Sequence, residues 1–96
     1  GRPGPRTNTV SPKILKWFPP ALPDGIDNDT RATVGLLLYV NESGMVEDVK
    51  IARSAGNDKL DRVALDAAWN FKFIPGEIKG VPTSMWVRME TSFRPR

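Results

Sequence analysis

The chain has no cysteine and no histidine. Without cysteine there is no disulfide to staple a small fold and no thiolate for catalysis or metal binding. Without histidine, the usual general base near neutral pH and the commonest metal ligand are both absent. No Asp, Glu, Lys or Ser cluster replaces them, so the residues point away from an enzyme and imply neither metal nor cofactor. Long hydrophobic runs are missing too. Thr33 to Val40 is the most apolar stretch, far short of the about 20 residues a membrane-spanning helix needs. No signal peptide opens the sequence.

Acidic residues are absent from both ends. Arg2, Arg6, Lys13, Lys16, Arg94 and Arg96 occupy those ends, while residues 17–93 hold 8 basic against 11 acidic residues. Nucleic-acid binders carry their basic patch on the folded body, and this body is mildly acidic. The basic ends read as solvated tails that could also touch anionic lipid or an acidic partner. Pro3, Pro5 and Pro12 disfavour helix at the start, and residues 1–16 read as the end of a largely disordered Pro-rich linker. The remaining 17–96 is one domain with a modest core.

Ser11-Pro12 suits a helix N-cap followed by Pro at the first helical position. That predicts a short apolar turn of helix through Ile14, Leu15, Trp17 and Phe18, stopped by Pro19-Pro20. Ala21 to Thr30 is rich in Pro, Asp, Asn and Gly, and reads as loop. Val34, Leu36, Leu38 and Val40 then share one strand face, with Leu37 and Tyr39 on the other. A strand apolar on both faces belongs in the middle of a sheet. Asn41-Glu42-Ser43-Gly44 is a hairpin turn with Gly at the left-handed position. In the next strand, about Met45 to Arg53, Val46 is out of phase with Val49 and Ile51, which predicts a bulge near Glu47-Asp48.

Asn57 or Asp58 can cap a helix. Leu60, Val63, Ala64, Ala67 and Phe71 form a single apolar stripe on it, with Asp58 and Asp61 in its first turn. Pro75 ends the helical pattern. The last strand alternates Met85, Val87, Met89, Thr91 and Phe93 against Trp86, Arg88, Glu90 and Ser92. A right-handed crossover through the helix places it beside the first strand, for a sheet order of second, first, last. The fold class is therefore α+β, a three-stranded sheet packed on one main helix in the order α-β-β-α-β. The last strand is then a long edge, open to pairing by another strand. Its Glu90 and Arg88 should turn their N–H groups outward, and Val87 and Met89 inward.

Several segments together resemble the TonB family, in its C-terminal domain. Phe18-Pro19 with Ala21 is similar to the family's aromatic-Pro-x-x-Ala entry motif, one residue shorter. Val40 to Val49 resembles the V-D-x-x-G-x-V-x-D-V hairpin. Arg53-Ser54-Ala55-Gly56 with Leu60-Asp61 and Ala64-Leu65 resembles the S-S-G…L-D-x-A-A-L segment. Phe71 to Pro75 matches W-x-F-x-P, and Gly80-Val81-Pro82 matches G-x-P. The similarity covers about residues 17–93. Departures are Ala32 for Gly, Asn41 for Asp, Phe71 for Trp, and Glu90 where many members carry Pro.

The resemblance implies a periplasmic energy-transducing role in a protein anchored in the inner membrane by a segment outside this chain. An ExbB–ExbD-type motor would act through that segment. The domain would grip the TonB box of an outer-membrane receptor and drive import of iron chelates, haem or similar nutrients. The box would add to the last strand by β-augmentation. The implied contact residues are Ser84, Met85, Trp86, Val87, Arg88, Met89 and Glu90, flanked by Phe18 and Pro19. A weak self-dimer through the same edge is a further expectation. A TolA-like or other envelope module that uses no TonB box is the alternative. Each contact also has a plainer reading: cross-strand packing for Trp86, a solvated charge for Arg88, a lid on the core for Phe18. Lys50, Arg53 and Lys72 read as solvated.

Overall fold

A computed structural model of the chain describes residues 8–94. Its elements run β1 (Thr9–Val10), β2 (Lys13–Lys16), β3 (Ala32–Val40), β4 (Val46–Arg53), α1 (Asp58–Ala68), β5 (Lys72–Ile74), β6 (Glu77–Ile78), β7 (Val81–Pro82) and β8 (Met85–Phe93). The principal sheet is antiparallel, in the order β4-β3-β8. The doubly apolar β3 is central because its neighbours cover both edges, and α1 covers one face. Val34, Leu36, Leu38 and Val40 are fully buried beneath Leu60, Ala64 and Ala68 of the helix, joined by Phe71, Phe73 and Phe93. Alanines at 64 and 68 let the helix approach the sheet closely.

The hairpin forms as its residues predict. The Asn41 side chain accepts from the Ser43 and Met45 N–H groups, and Gly44 takes φ +82°. In β4 the pairing passes from Tyr39↔Asp48 to Val40↔Val46, so Glu47 is the extra residue of a bulge. A second irregularity leaves Ala52 unpaired between Arg53 and Ile51. Asn57 caps α1, its side chain accepting from Lys59 and Leu60 N–H. Asp61 ties the exit of β4 to the helix by accepting from Ala55 N–H and the Ser54 hydroxyl. Among the described residues no helix is long and apolar enough to cross a membrane.

Three expectations need correction. The predicted helical turn through Ile14, Leu15, Trp17 and Phe18 is absent: Lys13–Lys16 is a strand, paired antiparallel with β5. One helical turn is unfavourable to nucleate, and the open edge of β5 offers the same backbone groups ready partners. The linker reading of 1–16 fails in its second half, where β1 also pairs with β6; residues 1–7 lie outside the described residues. Helix α1 ends at Ala68 rather than continuing to Phe71, which enters the core from a tight turn whose N–H donates to the Ala68 carbonyl. A short β6–β7 hairpin, turning at Lys79-Gly80 with φ 52° and 81°, also escaped the sequence pattern.

Thr91 is 1 % exposed on the helix-facing side of β8, and its hydroxyl has no hydrogen-bond partner. A buried unsatisfied hydroxyl costs free energy that an isosteric methyl does not. Thr91→Val should therefore stabilise the domain by about 1 kcal/mol, read as a melting temperature about 4–8 °C higher.

Candidate strand-accepting edge

β8 meets β3 over nine consecutive pairs, from Ala32↔Phe93 to Val40↔Met85, with no register shift. The opposite edge of the sheet is different in kind. β4 carries two irregularities, which twist and interrupt a ladder and blunt an edge against further pairing. Within the principal sheet, β8 is the regular edge.

The direction of its backbone groups follows from the hairpin. Asn41 N–H donates to the Met45 carbonyl, so odd-numbered groups of β3 face β4 and even-numbered ones face β8. With Leu38↔Val87 and Leu36↔Met89 paired, Val87 and Met89 point their N–H groups inward. Trp86, Arg88, Glu90 and Ser92 point theirs to the free side. The side chains alternate as well. Val87 and Met89 lie half-buried against the core, while Trp86, Arg88 and Glu90 stand on the face without a helix.

Trp86 packs across the strands on Tyr39, with ring centroids 5.1 Å apart, and Lys50 Nζ lies 4.9 Å from its ring. The cross-strand packing reading is therefore correct, yet Trp86 remains 42 % exposed. Arg88 lies over Gly35, where an added Cβ would sit 2.7 Å from its Nη2, and it pairs with Glu90 at 3.5 Å. That pair is solvent-exposed and contributes little to stability. The Ser84 hydroxyl donates to Glu42 at 2.9 Å, tying the start of β8 to the hairpin tip. Glu42 is held below the usual carboxylate range by its own backbone N–H and then by this hydroxyl. Met85 packs against Gly76, where any side chain would strike its sulfur.

Ser84 to Glu90 thus run consecutively along one edge, but only one of the two expected flanking residues joins them. Pro19 lines a groove of about 550 Å³ with Trp17, Pro20, Glu90, Ser92 and Arg94. Phe18 instead lines a groove of about 460 Å³ with Lys16, Asn70 and Lys72, beyond the end of the helix. The alternation from Trp17 to Phe18 sends the two aromatics to different grooves. Ser92 and Arg94 were missed as neighbours of the edge. For Ser92, the parity of the strand was a usable signal; for Arg94 there was none. Among the described residues no group of three or more Asp or Glu side chains is placed to hold a metal ion.

The described residues thus form a small α+β domain, an antiparallel sheet packed on one helix, with β8 as its regular edge. Comparison with known proteins makes this specific. The family described as Gram-negative bacterial TonB protein C-terminal matches residues 18–95, and the chain belongs to that family. It is 44 % identical over 55 residues to the protein TonB of Neisseria meningitidis serogroup C, covering 56 % of this chain and 20 % of that protein. To the protein TonB of Xanthomonas campestris pv. campestris it is 32 % identical over 78 residues, 81 % of this chain and 33 % of that protein. The chain therefore spans between a fifth and a third of the length of these relatives.

Proposed function

We propose that residues 17–96 form the receptor-engaging domain of a TonB-type energy transducer, acting in the periplasm on a protein held in the inner membrane. It binds the TonB box of an outer-membrane receptor as an added strand along β8. An ExbB–ExbD-type motor acting through the rest of the protein pulls on that attachment to drive import of an iron chelate, haem or a similar nutrient. The domain catalyses nothing itself. A weak self-dimer would compete for the same edge. The observation that carries this reading is the unbroken nine-residue register of β8 beside a β4 interrupted twice. Outward amides at Trp86, Arg88 and Glu90 supply backbone attachment, and the partly buried Val87 and Met89 supply an apolar flank that a partner strand would cover.

Titration of the isotope-labelled chain with a receptor's N-terminal peptide tests it. Amide shifts are expected to concentrate in Ser84–Glu90, with a second group at Trp17–Ala21 across the groove. Affinity should be modest, since a flexible peptide must be ordered on binding. Shifts centred on the outer side of α1, around Arg62 and Asp66, would reject the edge.

A further inference from the structure

The molecule is polarised in both charge and apolar exposure. Residues 8–18 and 69–82, which build β1, β2, the turn after α1 and β5 to β7, carry Lys13, Lys16, Lys72 and Lys79 against Glu77 alone. The other described residues, 19–68 and 83–94, hold 7 basic and 10 acidic side chains. The same two segments hold nine of the eleven exposed large hydrophobic side chains among the described residues. Leu15 is 67 % exposed and Val81 61 %, and Trp17, Trp69 and Ile74 are each about half exposed. Lys16 stands directly opposite Lys72 across β2 and β5, a like-charge pair that weakens the ladder. Among the described residues neither has an acid within ion-pair distance.

Exposed apolar groups are unfavourable in water, and where cations are interspersed with them they suit a surface that is both apolar and anionic. We infer that the surface formed by these two segments, joined through the β1–β6 and β2–β5 pairings, docks on an anionic phospholipid bilayer. The apolar side chains are spread over β1, β2, β5, β6, β7 and the residue that ends α1, rather than converging on one cavity. A bilayer interface accepts such a dispersed set: indole rings and aliphatic tips enter the headgroup region while lysines extend to the phosphates. A second copy docking through the same end is disfavoured, because two ends of equal positive charge repel.

The test is partition of the chain onto vesicles of phosphatidylglycerol and phosphatidylcholine, compared with phosphatidylcholine alone. A Trp86→Phe background leaves Trp17 and Trp69 as the fluorescent reporters. Binding to the anionic vesicles with a blue shift is expected, at least about tenfold tighter than to neutral ones and weakened by salt. The double variant Lys16→Gln, Lys72→Gln relieves a like-charge pair and should remain folded. It is expected to bind the anionic vesicles about thirtyfold more weakly. Equal binding to both vesicles, an unaffected double variant, or adsorption without a blue shift would overturn the proposal. So would equally tight binding to soluble polyglutamate, which would assign the surface to an acidic protein instead.

Discussion

Met89→Pro is expected to lower the melting temperature by more than about 10 °C, whereas Glu90→Pro should leave it within about 4 °C. The two positions are neighbours on one strand, and the difference is wholly directional. Met89 pairs with Leu36 of the buried central strand, and its N–H faces inward. Proline there removes a ladder donor, strands a buried carbonyl and forces the ring against β3, together about 3 kcal/mol or more. Glu90 faces its N–H to the free side, where proline is tolerated. The Arg88–Glu90 pair it would lose is exposed. Glu90→Pro should nonetheless weaken an added strand by deleting one outward donor. Thermal melts of both variants decide the matter. Equal and severe destabilisation would mean that β8 is internal and the binding edge lies elsewhere.

Gly44→Ala is expected to cost at least about 3 kcal/mol, against about 1–2 kcal/mol for Gly56→Ala. Both glycines have the left-handed backbone, at φ +82° and +84°. The strain of placing a Cβ on that backbone is therefore common to the pair. Their surroundings differ. A Cβ at Gly56 meets nothing within 4 Å, while one at Gly44 would collide with the Phe73 carbonyl oxygen and reach 3.0 Å from its carbonyl carbon. Gly44 also accepts the Phe73 N–H at 2.9 Å, so the hairpin tip and β5 are seated backbone to backbone. Alanine would prise them apart and loosen Phe73, which is core. Urea unfolding of the two variants measures this, and equal losses would show that the seating of β5 on the hairpin contributes nothing.

Local chemistry made much of the scaffold legible. The Asn41–Gly44 turn, the Glu47 bulge, the Asn57 cap and the period-two alternation of Met85–Phe93 each arise from residues within a few positions of one another. A cap, a turn or a phase slip has a local cause, so a local reading finds it. The order second, first, last needed one more rule, the handedness of the crossover through α1. That rule is general enough to apply without coordinates.

The N-terminal segment was misread for the complementary reason. Ser11-Pro12 gives a real helix-start signal, but the fate of Ile14 and Leu15 was decided by β5, nearly sixty residues away, whose edge stood open. Likewise Phe71 repeats the helical period by coincidence. The chain had already turned after Ala68, and its ring reaches the core from a different backbone.

The hairpin, the capped helix, the alternating last strand and the absence of cysteine and histidine follow from the sequence alone, because these depend on residue chemistry and short-range geometry. Only the tertiary structure decided that β8 is the regular edge and β4 the interrupted one. It alone also decided that Trp17 and Pro19 border that edge while Phe18 does not, and that Lys16 faces Lys72 across β2 and β5. Each of these is a juxtaposition of segments distant along the chain. Such pairings are chosen by competition among unpaired backbone edges and by burial of a shared core, which no local pattern encodes.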